Sequence, residues 1–430
     1  MDHLRILGGL PLRGAVAVSG AKNAALPIMA ASILAGGPVR LASVPRVSDV
    51  DTLGQVLREL GMTIDGNPED GLLLETEDPR PVRARYELVR RMRASFCVLG
   101  PLVARRGRAV VALPGGCNLG PRPVDLHLRG LAALGADIRI ERGNVIARAK
   151  RLRGATVMLA GPRGPTVTGT ANVMSAAVLA RGVTTILGAA TEPEVVDLGR
   201  FLNALGARIT GLGTPTLRIA GVEELGGASY RIIPDRIEAG TLLLATAITQ
   251  GSATLTGVIP EHLSAVLSLL EAAGASVQTR GDRVTVSAAG RLRPLSIVAE
   301  PYPGIPSDLQ APWTAVLSLA RGRSTVSDRV FPGRFAHADD LNRLGARIGL
   351  CGATAVVEGV PGLSGTAVAG SDLRATAALV LAGLAAEGET RVLRIDHLDR
   401  GYERLDEKLA RLGARIERAD AHVALLARRR

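Results

Sequence analysis

A leucine–glycine turn that recurs six times constrains this chain more than any other feature. The copies read Leu57-Arg-Glu-Leu-Gly61-Met, Leu131-Ala-Ala-Leu-Gly135-Ala, Leu202-Asn-Ala-Leu-Gly206-Ala, Leu270-Glu-Ala-Ala-Gly274-Ala, Leu341-Asn-Arg-Leu-Gly345-Ala and Leu409-Ala-Arg-Leu-Gly413-Ala. Their glycines lie 74, 71, 68, 71 and 68 residues apart. Each closes an amphipathic helix, because glycine takes the left-handed angles of a helix C-terminus without a Cβ clash. Short alternating runs follow, such as Asp137–Ile140 and Val145–Arg148, and these predict a hairpin. A fixed period means one supersecondary unit used repeatedly.

A second helix, apolar nearly all round, is expected upstream of each glycine. The six starts fall near Ala21-Lys22-Asn23, Met92-Arg93-Ala94, Gly169-Thr170-Ala171-Asn172, Glu238-Ala239-Gly240, Asp308-Leu309-Gln310 and Asp372-Leu373-Arg374. A helix without a polar face belongs in a core. The unit is therefore strand–helix–strand–helix–strand–strand, an α/β arrangement with an inner and an outer helix. Six units taken three at a time give two domains of about 200 residues each, an ordinary domain size. The run Leu4–Val18 precedes the first inner helix and can pair with the last unit. The expected division is 22–229 as one domain and 1–21 with 230–430 as the other, with hinge-like crossings near Gly20 and Ser229.

Composition narrows the function classes. Aromatic residues make up only 2% of the 430, so the cores must be built from Ala, Val, Leu and Ile. The longest apolar runs, such as Ala375–Ala386, are too short to cross a bilayer. Met1-Asp2-His3-Leu4-Arg5 lacks the basic and apolar regions of a signal peptide. Cys97, Cys117 and Cys351 are sparse and without CxxC spacing, which argues against a disulfide framework or a zinc site and for a reducing cytoplasm. The net charge of +12 invites a nucleic-acid reading, but the basic residues are dispersed apart from Arg428-Arg429-Arg430. Small anionic ligands fit that distribution at least as well. Of the 52 basic residues only Lys22, Lys150 and Lys408 are lysines, which marks them as places where a compact ammonium is wanted.

Two features carry chemistry. The stretch from Pro114 to Asp125 holds three glycines and three prolines, so it forms a long irregular loop of the kind that serves as a lid or binding loop. It carries Cys117 five residues before Arg122; guanidinium neighbours lower a thiol's pKa, and an incidental surface thiol is the alternative. The second feature is charge at helix starts. Lys22, Arg93, Asp308, Asp372 and Arg374 open inner helices, and Arg122, Arg334 and Arg400 precede outer ones. Free N–H groups and arginine forks at such places suit phosphate or carboxylate, although any one of these residues could be an ordinary cap or surface charge.

The quoted motifs resemble one family. Ser19-Gly-Ala-Lys22-Asn23-Ala, Met92-Arg93-Ala-Ser, Pro114-Gly-Gly-Cys117, Arg122-Pro-Val-Asp125-Leu-His127, Pro234-Asp-Arg-Ile-Glu238, Pro306-Ser-Asp308-Leu-Gln, Arg334-Phe-Ala-His337, Ser371-Asp372-Leu-Arg374-Ala and Asp399-Arg400-Gly-Tyr-Glu-Arg are similar to those of the UDP-N-acetylglucosamine enolpyruvyl transferases. The resemblance runs from Leu4 to about Arg418. It implies a two-domain inside-out α/β barrel and transfer of the enolpyruvyl group of phosphoenolpyruvate to the 3′-hydroxyl of UDP-N-acetylglucosamine, without metal or cofactor. By the same resemblance Lys22, Asn23, Arg93, Arg122 and Arg400 hold phosphoenolpyruvate, with Arg334, Asp372 and Arg374 supporting the cleft. The nucleotide sugar is implied to touch Asn23, Arg93, Arg122, Pro123, Val124, Asp125, Leu126, Thr166, Val167, Thr168, Asp308 and Val330. Asp308 is implied to accept the 3′-hydroxyl proton, Cys117 to act in protonation at C3, and Lys22 to join them in catalysis.

Thr166-Val167-Thr168 departs from the family's more common Ser-Val-Gly, and Pro121 before Arg122 stiffens the loop. Partners are expected to be these two small molecules, with no nucleic acid and no membrane, and the protein is expected to be a monomer, with an oligomer as the alternative. The shikimate-pathway enolpyruvyl transferase, a nucleotide-sugar sensor on the same fold and a basic nucleic-acid-binding protein are the competing readings.

Overall fold

A computed structural model describes residues 2–67, 71–114 and 124–419. Cys117, Arg122 and Pro123, and with them the loop expectation, lie outside the described residues.

The described chain falls into two units, one of residues 20–233 and one of residues 2–19 with 234–419. The described chain divides at 19/20 and 233/234, against expected crossings near Gly20 and Ser229. The cause is local pairing. Ala228–Arg231 runs parallel to Val39–Ala42, the Ile232 N–H donates to Ala42 O, and the Ala21 N–H donates to Ile233 O. These bonds hold the chain to the first unit beyond 229 and bring residue 20 into it.

Among the described residues there are six four-stranded sheets with one pairing pattern: parallel, then antiparallel, then antiparallel. In the sheet Arg83–Ala84, Arg108–Ala112, Asn144–Arg148, Asp137–Glu141, the last two strands form the expected hairpin. His3–Leu7 lies between Glu389–Leu393 and Arg415–Ala419, antiparallel to both, which makes the second unit discontinuous in sequence. Its Leu4 and Ile6 face the core while Arg5 faces out, as a period of two requires.

Each unit has its own apolar core. In residues 20–233 the core surrounds the helices Lys22–Ala31, Leu99–Arg106 and Val167–Ala177. In the other unit it surrounds Arg236–Ile248, Gln310–Leu317 and Leu373–Ala385, and every residue of the first two of these is buried. Burying one such leucine side chain stabilises the fold by about 2 kcal/mol. The six turn glycines, Gly61, Gly135, Gly206, Gly274, Gly345 and Gly413, have φ between +79° and +107°. Gly135 N–H donates to Ala132 O and Ala136 N–H to Leu131 O, and equivalent pairs end the helices at Gly206, Gly274, Gly345 and Gly413.

Three helix starts differ from expectation. The stretch expected to be helical from Arg93 is a 3₁₀ turn, Arg93–Val98, before the α-helix Leu99–Arg106, and Ser307–Leu309 likewise precedes Gln310–Leu317. Pro101 and Pro312 lack the N–H that would bond back four residues, so the first turn tightens instead. The helix expected near Glu238 begins at Arg236, capped by Asp235, whose carboxylate accepts the Ile237 and Glu238 N–H groups.

Candidate functional site

The described site residues are divided between the two units. In residues 234–419 the cluster centres on Asp308, at the tip of the 3₁₀ turn. Arg334 Nη1 donates to Asp308 Oδ1 at 2.8 Å, and Arg374 Nη2 donates to Oδ2 at 2.9 Å. Both arginines are buried, and Arg374 also stacks on the buried Tyr402 ring at 4.9 Å. Burial works to raise the Asp308 carboxyl, but the Arg374 and Arg334 guanidiniums outweigh it and hold it well below the usual carboxylate range. Asp372 caps Leu373–Ala385 by accepting the Arg374 and Ala375 N–H groups, and it lies 3.9 Å from Arg334.

A polar chain supports this cluster from behind. The Ser307 hydroxyl accepts from Arg334 Nη1 and donates to Asp328, which also accepts the Val330 and Phe331 N–H groups. Val330, an expected sugar contact, is thereby tied to the same buried carboxylate that steadies Arg334. Arg400 is half-buried at the end of the short Asp396–Asp399 helix.

In residues 20–233, Lys22 opens its helix with Nζ 3.0 Å from the buried Asp49 carboxylate, and half-buried Asn23 follows it. Arg93 begins the 3₁₀ turn, half-buried. Thr166 caps Val167–Ala177 by accepting the Gly169 N–H at 3.2 Å. Val167 is exposed and Thr168 half-buried, as are Val124 and Leu126, while Asp125 is exposed at the start of Asp125–Ala133. Beneath Thr168 lies His127, whose Nε2 is 3.2 Å from the Thr168 hydroxyl and whose Nδ1 is 2.9 Å from Asn172 Nδ2. Burial lowers the His127 pKa to about 3, with the Arg93 charge adding to the effect, so the ring is neutral.

Comparison with known proteins bears on the chain as a whole. A relative from Anaeromyxobacter sp. (strain Fw109-5), named UDP-N-acetylglucosamine 1-carboxyvinyltransferase, is 52% identical over 98% of this chain and 100% of its own. A relative of the same name from Akkermansia muciniphila is 50% identical over 97% and 99%. The chain belongs to the UDP-N-acetylglucosamine 1-carboxyvinyltransferase family. Residues 6–409 also match the family model described as EPSP synthase (3-phosphoshikimate 1-carboxyvinyltransferase). Among solved structures, the enolpyruvyl transferase NikO from Streptomyces tendae superposes with a TM-score of 0.88 at 28% identity, over 98% of this chain and 99% of its own. EPSP synthase from Acinetobacter baumannii gives 0.73 at 18% identity, over 98% and 100%, which speaks to the α/β fold alone.

As a member of the 1-carboxyvinyltransferase family the chain is an enzyme, and its sequence left several supporting residues unread. Asp49 and Asp328 lie outside the quoted motifs and partner Lys22 and Ser307 more than 20 positions away, while Ser307 lies inside the Pro306-Ser-Asp308 motif with no role of its own assigned there. Asp235 could have been found: Asp235-Arg-Ile-Glu238 has capping-box spacing. There Glu238 accepts the Ser19 N–H and forms a buried pair with Lys408. Two of the three lysines, Lys22 and Lys408, thus sit in buried ion pairs, and Lys150 is exposed.

Proposed function

We propose that this enzyme transfers the enolpyruvyl group of phosphoenolpyruvate to the 3′-hydroxyl of UDP-N-acetylglucosamine with release of phosphate, the first committed step of peptidoglycan synthesis. The observation that carries the reading is Asp308, a carboxylate kept ionised between two buried guanidiniums. The relatives' shared name supports the substrate pair.

In the proposed sequence the sugar oxygen adds to C2 of phosphoenolpyruvate as its proton passes to Asp308 and a proton is delivered to C3. The resulting ketal carries carboxylate and phosphate. Loss of phosphate from C2 and of a proton from C3 then gives the enol ether. A carboxylate held as low as Asp308 is a weak base, so a substrate anion that draws Arg334 or Arg374 away raises its basicity at the moment it is needed. Lys22, Arg93, Arg122 and Arg400 neutralise phosphoenolpyruvate, Asn23 hydrogen-bonds to it, and Cys117 serves the protonation at C3. Val124, Asp125, Leu126 and Thr166–Thr168, with Arg122 and Pro123, line the nucleotide pocket, while Asn23, Asp308 and Val330 meet the sugar.

The finer fold reading goes with this one: six strand–helix–strand–helix–strand–strand units in an inside-out barrel of two domains, acting as a monomer in the cytoplasm. The six sheets of one pattern support the repeat of six units. Phosphate release with phosphoenolpyruvate and either UDP-N-acetylglucosamine or shikimate 3-phosphate tests the function. Release with the first acceptor alone is expected; release with the second alone would replace this reading with its nearest rival.

A further inference from the structure

The protons around His127 can be placed one by one. The Asn172 carbonyl Oδ1 accepts the Gly100 N–H at 2.7 Å, which identifies the other terminal atom of that side chain as the amide nitrogen. Its two protons go to Phe96 O and to His127 Nδ1, both at 2.9 Å. Gly100 permits this close approach, since a Cβ there would stand 2.1 Å from the Asn172 backbone carbonyl oxygen. His127 Nδ1 is therefore an acceptor, and in a neutral ring the proton sits on Nε2. That proton points at the Thr168 hydroxyl, 3.2 Å away, which must accept it. Thr168 then has its own hydroxyl proton left to donate, and its side chain is half-buried rather than sealed in.

We infer that Thr168 is a specificity-determining residue whose hydroxyl, oriented by the positioning pair His127 and Asn172, donates a hydrogen bond to an acceptor oxygen of the nucleotide. The inference rests on the reading of Thr166–Thr168 as part of the nucleotide pocket. It concerns a hydroxyl that the Ser-Val-Gly pattern lacks, so it belongs to this chain's departure from that pattern. A hydroxyl fed by a fixed donor on one side is pre-organised as a donor on the other, and it loses little freedom when a ligand oxygen arrives. Four elements converge on the pair: Asp125–Ala133 supplies His127, Val167–Ala177 supplies both Asn172 and Thr168, and Arg93–Val98 and Leu99–Arg106 supply the Phe96 carbonyl and the Gly100 N–H.

The test is steady-state kinetics of the full chain with UDP-N-acetylglucosamine. Thr168→Val keeps the shape and removes the donor, so the KM for the nucleotide sugar should rise roughly three- to tenfold with kcat unchanged. Thr168→Ser should recover most of that loss. His127→Asn, whose amide reaches only the Nδ1 position, should raise KM like Thr168→Val and add nothing in the double variant. His127→Gln, whose amide reaches the Nε2 position, should restore binding in part. UDP as a competitive inhibitor should show the same loss, which puts the acceptor on the nucleotide; a loss seen only with the full substrate would overturn that placement.

Hydrogen exchange separates the two ways of failing. Protection of the Val167–Ala177 helix start by UDP-N-acetylglucosamine, together with an unchanged KM in Thr168→Val, would overturn this inference and leave the pocket standing. No protection would remove the pocket reading and this inference with it.

Discussion

The two clusters solve the problem of holding a side chain still in opposite ways. Around Asp308 the work is done by charge: two buried guanidiniums grip one carboxylate, and a second carboxylate, Asp328, steadies the grip through Ser307. Around His127 there is no formal charge within the hydrogen-bond chain, which runs from backbone amide to asparagine to neutral imidazole to hydroxyl. A charged cluster stores a field that an incoming anion can redirect, which suits a group that must change protonation state. A neutral chain of fixed donors and acceptors does not respond to charge and suits recognition of shape. On the proposed function, the contrast matches a proton acceptor at Asp308 and a nucleotide contact at Thr168.

The neutral region should be chemically silent, and that gives the largest expected difference. Burial pushes the Cys97 thiol up to about 12, and it adjoins Phe96 of the His127 chain. Its thiolate fraction near neutral pH is then about a thousandfold below that of an ordinary cysteine. Labelling by the epoxide phosphonate fosfomycin, mapped by peptide mass spectrometry, should fall on Cys117, be accelerated by UDP-N-acetylglucosamine, and leave Cys97 unmodified. Cys117→Asp should keep turnover and lose the inhibition, whereas Cys117→Ser should turn over poorly. Labelling mainly at Cys97 or Cys351 would break the comparison.

The charged region should be sensitive to removal of one partner. Arg374→Met removes one of the two guanidiniums that donate to Asp308 and should cost about 3 kcal/mol in urea unfolding, as breaking a buried pair does. A loss as small as that of a surface pair, about 0.5 kcal/mol, would mean that the cluster is solvated and holds no field.

Acid sharpens the contrast in a second way. The unfolded chain takes up a proton on His127 near pH 6.5, while the folded ring stays neutral down to about 3. Between those values the unfolded state binds one more proton, so stability is full above pH 6.5 and falls with decreasing pH by about 1.4 kcal/mol per unit for this group. His337 in the other unit, lowered to about 4 by burial, adds a second such contribution over pH 6.5 to 4. Asp308 follows the same sign in a lower window: its folded pKa is depressed, so its contribution is intact above the unfolded carboxylate value and is lost progressively as pH falls from there to the folded one. His127→Gln should flatten the pH dependence of unfolding between 6.5 and 4; an unchanged slope would show that the ring is not held neutral.

The parts of this architecture that sequence reveals are those enforced locally. Gly135 and Gly206 can be read as helix ends because a left-handed angle admits few other residues, and the alternation of Leu4, Arg5 and Ile6 announces its buried face. Proline is a local signal too: Pro101 and Pro312 mark the tightened turns at Arg93 and Ser307. The rest depends on chain segments that meet only after folding. Nothing near Lys22 names Asp49 as its partner, and Lys408 finds Glu238 across 170 positions. His127 was visible as part of a motif, but its tautomer follows from Gly100, Phe96 and Asn172, which no single stretch contains.

The central claim, that the Asp308 cluster performs the proton chemistry, is tested most directly in Asp308→Asn, which keeps the side chain's shape and one oxygen for the arginines but cannot take up the sugar's proton. Turnover from phosphate release and affinity for UDP-N-acetylglucosamine from calorimetry should be measured on the same preparation. Turnover should fall by roughly two to four orders of magnitude while affinity stays near that of the unaltered protein. Near-normal turnover would remove Asp308 from the mechanism and contradict the assignment of chemistry to the charged cluster.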